Sequence, residues 1–292
     1  MKSRYNFAFF DEGSKREIRR ATLKAVAIPG YQVPFASREM PIARGWGTGG
    51  LQLTLSLIGK DDVLKVIDQG ADESVNAVSI KKLVQNTTGV QATDDTHRAT
   101  LIQSRHRIPE LPLEEDQILI LQVPIPEPLR FTEPSEYKTK RLHGDKEYSG
   151  AYLVLFEEIM RYGTMTGGAD HPVEVHDRYV MAPSPIPRFD NPRMDHSKAL
   201  ILLGAGREKK IYAVPPFTKV KSLDFEDHPF RRESFDGKLC RLCGAQGVYL
   251  DELYDGDTKT TSYQCNDSSY CTRRLNGGFR AQDPALTPEA AL

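Results

Sequence analysis

The four cysteines of this chain stand at Cys240, Cys243, Cys265 and Cys271, spaced C-x2-C-x21-C-x5-C, and none precedes them. Thiolate is the soft donor that Zn2+ and iron–sulfur clusters share, so two pairs of thiols joined by a loop predict one metal site. Cys240-Arg241-Leu242-Cys243-Gly244 has the form of a zinc knuckle, in which a glycine after the second thiol lets the turn tighten. The second half is asymmetric, because zinc ribbons close with another C-x2-C whereas five residues separate Cys265 from Cys271. Two readings stay open. Either all four thiolates hold a structural zinc, or three hold a cluster with one open iron while the fourth thiol is free for chemistry. Disulfides fit less well: a chain of this length buries a sizeable core without staples, and no signal peptide directs it to an oxidising compartment.

Other chemistry-bearing patterns are sparse. The seven histidines include His171 and His176, but His97, His106, His143, His196 and His228 are scattered and no H-E-x-x-H occurs. Each is expected to satisfy a surface or polar network. Arg105-His106-Arg107 is a candidate anion binder, or equally a solvated basic face. There is no G-x-S-x-G and no P-loop, so ordinary hydrolysis or phosphoryl transfer has no visible machinery. Lys+Arg 39 against Asp+Glu 40 gives a net charge of -1, which supplies no field to recruit nucleic acid or an anionic membrane. No apolar run is long enough to span a bilayer, and a cytoplasmic protein is expected.

The elements that must position the cysteines read as follows. A helix is predicted from Ser14 to Ile28, with Ser14 and Glu17 as a capping box and Ile18, Ala21, Ala25 and Ile28 as its buried stripe. Pro29-Gly30 ends it in a turn. Gly45-Trp46-Gly47-Thr48-Gly49-Gly50 matches G-x-G-x-x-G, but Leu51, Leu53, Leu55 and Leu57 alternate as in a strand, and a dinucleotide loop needs a helix there. The loop is left as a backbone cradle for an anion or as close packing around Trp46. Helices are predicted at Asp61 to Asp68 and Ser74 to Val84, and Leu101 to Arg107 is ambiguous. Strands are predicted at Ile118 to Val123, Leu200 to Leu203 and Ile211 to Val214. Tyr152, Leu155, Phe156 and Ile159 mark a further helix. The proline-rich passages Val123 to Pro128 and Pro183 to Pro187 interleave apolar residues, so they are expected to wrap the core or a neighbouring subunit. These elements mix without strict alternation, which implies an α+β fold: a mixed β-sheet core flanked by helices, a surface insertion and a small C-terminal four-cysteine module. The division expected is 1–130 and 181–230 for the two parts of the core, 131–180 for a variable insertion and helix, 231–275 for the metal module and 276–292 for a flexible tail.

Beyond the cysteines, the blocks Ala25 to Phe35, Gly45 to Gly50, Gln122 to Phe131, Ala182 to Pro192 and Gly204 to Lys209 resemble the PhnJ family, the carbon–phosphorus lyases of alpha-D-ribose 1-methylphosphonate 5-phosphate. The resemblance runs from about Tyr5 to Cys271. It implies a radical S-adenosylmethionine enzyme, although the common C-x3-C-x2-C motif is absent. By motif matching, Cys240, Cys243 and Cys265 would ligate a [4Fe-4S] cluster, Gly30 would carry a glycyl radical and Cys271 a thiyl radical. Substrate cleavage would give alpha-D-ribose 1,2-cyclic phosphate 5-phosphate and methane. Zinc on all four cysteines would replace the cluster in aerobically prepared protein. The implied partners are the core subunits PhnG, PhnH and PhnI and the ABC-type ATPase subunit PhnK. The residue types suit the chemistry, since a glycine α-carbon without Cβ can become planar and is stabilised by its flanking amides. The rival from another class is a non-catalytic zinc-binding scaffold subunit of a multiprotein complex.

Overall fold

An aspartate, not Ser14, caps the first helix. The computed structural model describes residues 11–25, 32–34, 50–105, 107–122, 133–145, 173–177, 179–181, 186–205, 210–223 and 232–277, with Gly150, Leu153, Val154, Glu157 and Arg161. In it helix α1 spans Glu12–Ala25. The Asp11 carboxylate accepts from the Ser14 N–H at 2.9 Å and the Ser14 hydroxyl at 2.8 Å, so the helix starts two residues earlier than expected. Arg19 ties α1 down, donating to the Leu57 carbonyl at 3.0 Å and to Asp62 at 2.5 Å.

Two expectations are overturned. Gly50–Leu57 is a helix, α2, rather than a strand. Leu51, Leu53, Leu55 and Leu57 are buried, but so are Thr54 and Ser56 between them, and alternation says nothing of period when polar positions are enclosed as well. Gly50 permits this packing, because a Cβ there would stand 2.6 Å from the Gln122 Cβ. The objection that no helix follows the glycine-rich loop therefore fails, though residues 45–49 lie outside the described residues. Val63–Asp68, expected to be helical, is strand β2, with Leu64, Val66 and Ile67 buried on alternate faces of the sheet.

The remaining expectations fare better. Helix α3, Val75–Thr88, is capped by Ser74, whose hydroxyl accepts from Ala77 N–H at 3.1 Å, and it runs past Val84 to Gly89 at φ +77°. Leu101–Arg105 is strand β4, which resolves the ambiguous segment. Strands β5 (Ile118–Gln122), β8 (Leu200–Ala205) and β9 (Lys210–Val214) fall where expected. Two short strands, β1 (Gln32–Pro34) and β3 (Gln91–Ala92), complete a sheet of order β1-β9-β8-β5-β4-β2-β3. From β3 through β8 neighbours are parallel, while β9 runs antiparallel to both β8 and β1. The mixed sheet is thus present.

One face of the sheet packs under α2 and α3 through Leu53, Leu64, Val66, Ala77, Leu101 and Ile120. The other is covered by a three-stranded sheet of β6 (Val173–Val175), β7 (Tyr179–Met181) and β10 (Val220–Ser222), with Ile186 and with Met194 from helix α5 (Asn191–His196). Helix α4, Glu136–Asp145, lies in the segment expected as a variable insertion and exposes Tyr137. The passage Val123 to Pro128 and the tail from 278 onward lie outside the described residues, as do Tyr152, Leu155, Phe156 and Ile159 of the further expected helix, whereas Leu153, Val154 and Glu157 within it are described and helical. No helix among the described residues is long and apolar enough to cross a membrane.

The chain reverses direction across the sheet at β2, which has β3 on one side and β4 on the other, so the carboxyl ends of β2 and β4 form a switch point. There Arg105 grips Asp68 in a two-pronged pair, at 2.5 and 3.0 Å. Arg107 lies over the Tyr249 ring, 3.6 Å from its centroid. Both arginines of the basic triplet therefore have partners inside the protein, and His106 is outside the described residues. Beside them Lys65, fully buried, donates to both Asp72 oxygens at 2.8 and 2.7 Å and to the Asp94 carbonyl at 2.6 Å. Removing one member of such a pair strands a buried charge, so Lys65→Ala is expected to lower unfolding stability by about 3–5 kcal/mol. The double replacement Lys65→Met with Asp72→Leu should recover most of that loss in chemical denaturation.

Candidate metal centre

Three pieces of local structure bring the thiols together. The knuckle is closed by Gly244 N–H donating to the Cys240 carbonyl at 2.9 Å, with Gly244 at φ +68°, and by Cys240 N–H donating to Ala245 O at 3.0 Å. A hairpin of β11 (Leu250–Asp255) and β12 (Thr260–Cys265) sets Cys265 opposite Leu250, and Arg241 N–H bonds the Tyr263 carbonyl at 2.7 Å to hold the knuckle on β12. Helix α6, Ser268–Leu275, then turns the chain back. Asp267 caps it by accepting from Tyr270 N–H at 2.9 Å, and Cys271 N–H reaches the Asp267 carbonyl at 3.0 Å. The wide gap between Cys265 and Cys271 is therefore one cap and one helical turn, and it does not leave Cys271 apart.

All four sulfurs lie within 4.8 Å of one another. Cys240 and Cys271 sulfurs are 3.8 Å apart and those of Cys243 and Cys265 3.5 Å. A tetrahedral ion about 2.3 Å from each thiolate puts the sulfurs about 3.8 Å from one another. The arrangement fits a single four-thiolate ion. In donor chemistry it suits an iron–sulfur cluster as well, but a cube binds each thiolate to a different iron, and the thiols would have to spread from this spacing to hold one. Gly30 lies outside the described residues, so its distance from the sulfurs is not part of this geometry.

The electrostatics of the group call for a cation. Burial works against the Cys240 thiolate, yet the backbone N–H groups of Cys243, Cys265 and Leu242 outweigh it and draw Cys240 down to about 6. Burial and the neighbouring thiols of Cys240 and Cys243 push Cys265 well up, and the same causes push Cys271 up to about 12. One thiolate forms readily and its neighbours then resist ionisation.

The centre is seated on the switch-point edge of the sheet. Asn266, next to Cys265, donates to the Gln69 carbonyl at 2.6 Å, and Ser268 N–H donates to Gly70 O at 3.1 Å. Gly70, at φ +90°, has no room for a Cβ, which would run into Asn266. Buried Leu111 from the core joins Cys240, Ala245, Val248, Leu250, Cys265, Tyr270 and Cys271 in one apolar cluster. Gly70, Glu110 and Asp267 were not singled out from sequence. Asp267-Ser268-Ser269 carries a readable capping signal, whereas Glu110 and Gly70 acquire their roles only through residues far along the chain.

The chain matches the family described as Phosphonate metabolism protein PhnJ over residues 3–277. It belongs to the PhnJ family. A relative from Escherichia coli (strain K12), named alpha-D-ribose 1-methylphosphonate 5-phosphate C-P lyase, is 58% identical over 272 residues, covering 93% of this chain and 96% of its own. Another from Rhizobium meliloti (strain 1021), named alpha-D-ribose 1-methylphosphonate 5-phosphate C-P-lyase, is 58% identical over 274 residues, or 94% and 92% of the two chains.

Because Cys265 and Cys271 hold their protons at neutral pH, loading this PhnJ family member with one equivalent of zinc should release at least their two protons per ion at pH 7. Calorimetry in buffers of different ionisation enthalpy measures this. Zinc binding without proton release would show that these two thiols are not ligands.

Proposed function

We propose that this chain is a lyase that breaks the carbon–phosphorus bond of alpha-D-ribose 1-methylphosphonate 5-phosphate in phosphonate catabolism, releasing methane and alpha-D-ribose 1,2-cyclic phosphate 5-phosphate. What carries the reading is the 58% identity, over nearly the whole of both chains, to two relatives named for that activity. The carbon–phosphorus bond has no easy heterolytic leaving group, so the chemistry we assign is homolytic. A [4Fe-4S] cluster on Cys240, Cys243 and Cys265, together with S-adenosylmethionine, would supply an oxidising carbon radical when bound.

The chain's own residues then have separate tasks. Gly30 gives up an α-hydrogen, and its flanking amides delocalise the unpaired electron. The glycyl radical takes the thiol hydrogen of Cys271, and the resulting sulfur radical attacks phosphorus and expels a methyl radical. That methyl takes the α-hydrogen of Gly30 and leaves as methane, which restores the glycyl radical, and the ribose 2-hydroxyl displaces the sulfur as the cyclic phosphate closes, its proton returning Cys271 to the thiol. Cys271 is thus free in the working enzyme and tied down when one ion holds all four thiols. The core subunits PhnG, PhnH and PhnI and the ATPase subunit PhnK are the proposed partners.

The single-ion spacing of the sulfurs favours a second reading, a zinc-stabilised scaffold subunit. Anaerobic reconstitution of the assembled complex separates the two. The enzyme reading expects a brown chromophore, reductive cleavage of S-adenosylmethionine and methane release; a colourless, inert protein favours the scaffold. Gly30→Ala should keep the chromophore and abolish methane, and full turnover by that variant would remove Gly30 from the mechanism. Cys271→Ala should also keep the chromophore, whereas its loss would make Cys271 a cluster ligand.

A further inference from the structure

Glu110 lies in the loop after β4, far in sequence from the cysteines, yet it bonds both Tyr249, which leads into the strand paired with that of Cys265, and Asp267, which caps the Cys271 helix. Its side chain is buried, and one carboxylate oxygen accepts from Tyr249 N–H at 3.1 Å. Tyr249 directly precedes Leu250, the residue paired with Cys265 across the hairpin, and its own carbonyl accepts from Asn266 N–H at 3.1 Å. The backbone N–H of Glu110 donates at 3.0 Å to one carboxylate oxygen of buried Asp267. The other Asp267 oxygen caps the helix that carries Cys271. Arg193 of α5 completes the arrangement from the core side, pairing with the second Glu110 oxygen and donating to the Glu110 carbonyl at 3.0 Å and the Pro109 carbonyl at 3.2 Å.

We infer that Glu110 and Asp267 are positioning residues that set where the Cys265 and Cys271 sulfurs stand, so that the geometry of the thiol site is imposed by the sheet core rather than by the cysteine module alone. Asp267 uses both oxygens at once, one toward the core and one toward the Cys271 helix, alongside the Ser268, Ser269 and Arg273 bonds that also hold that helix to the core. Glu110 fixes the Cys265 strand through Tyr249 and the Cys271 helix through Asp267, from a single backbone position held by Arg193. The hydrogen-bonded groups behind metal ligands commonly govern affinity in this way. The inference concerns the sulfurs at the single-ion spacing they have here.

The test uses the full chain loaded with zinc, with affinity measured by competition against a chromogenic chelator at pH 7. After zinc removal, alkylation of each cysteine is followed by mass spectrometry. Asp267→Asn keeps the shape of the side chain but offers one acceptor oxygen in place of two, and is expected to weaken zinc binding on the order of tenfold. It should raise the alkylation rate of Cys271 relative to Cys240. Glu110→Ala should weaken binding on the order of 10–100-fold and raise the rates of both Cys265 and Cys271, whereas Glu110→Gln, which keeps an acceptor for Tyr249, should lie nearer the parent protein. If Glu110→Ala does not fold, Asp267→Asn and Glu110→Gln carry the test. Leu119→Ala, a core change remote from the module, controls for general loosening. Zinc affinity within about twofold of the parent in Asp267→Asn would overturn the inference, as would equal shifts in Leu119→Ala.

Discussion

Like charges of thiolates cannot share a space less than 5 Å across unless a cation stands among them, and the rest of this molecule is arranged around that constraint. Cys240 is ready to ionise because backbone donors surround it, while Cys265 and Cys271 are held protonated by burial and by their neighbours. A metal held there would supply the missing positive charge, converting a set of mutually repelling ionisations into one strong interaction and making the four sulfurs, drawn from a knuckle, a hairpin strand and a capped helix, a single unit.

That unit does not stand alone. It rests on the carboxyl ends of β2 and β4, where the order of the parallel strands reverses and open α/β sheets form a crevice. The Gln69–Gly70 backbone takes Asn266 and Ser268, Arg107 stacks on Tyr249, and Leu111 enters the apolar cluster of the cysteines. A charge and hydrogen-bond network of Glu110, Arg193 and Asp267 ties core and module on the side of the Cys271 helix. The Cys271 thiol is thereby placed by contacts with the sheet as well as by its own module.

Sequence made some of this legible and hid the rest for identifiable reasons. The cysteine spacing announced a metal site, and the apolar runs of β5, β8 and β9 declared strands because buried strands of a mixed sheet are continuous in Val, Ile and Leu. Ser74 was readable as a cap because capping is local chemistry. Leu51 to Leu57 misled because Thr54 and Ser56 are buried too, so the polar positions did not mark a solvent face. Val63 to Asp68 misled because fully buried Lys65 and partnered Asp68 look like the polar side of a helix until Asp72 and Arg105 are seen beside them. The gap before Cys271 left that thiol either in or out of the metal set, although Asp267 held the clue that a helix cap brings the sulfur back. Glu110 was beyond reach, since its partners at Tyr249 and Asp267 are more than a hundred residues away.

The central claim is that Cys271 shares one site with Cys240, Cys243 and Cys265. Metal-edge X-ray absorption on the full-length protein carrying one equivalent of zinc tests it most directly. The account requires four sulfur neighbours at a single distance of about 2.3 Å, and three sulfurs plus a lighter atom once Cys271 is replaced by serine. Three sulfurs and a light atom in the unaltered protein, unchanged by that replacement, would contradict it.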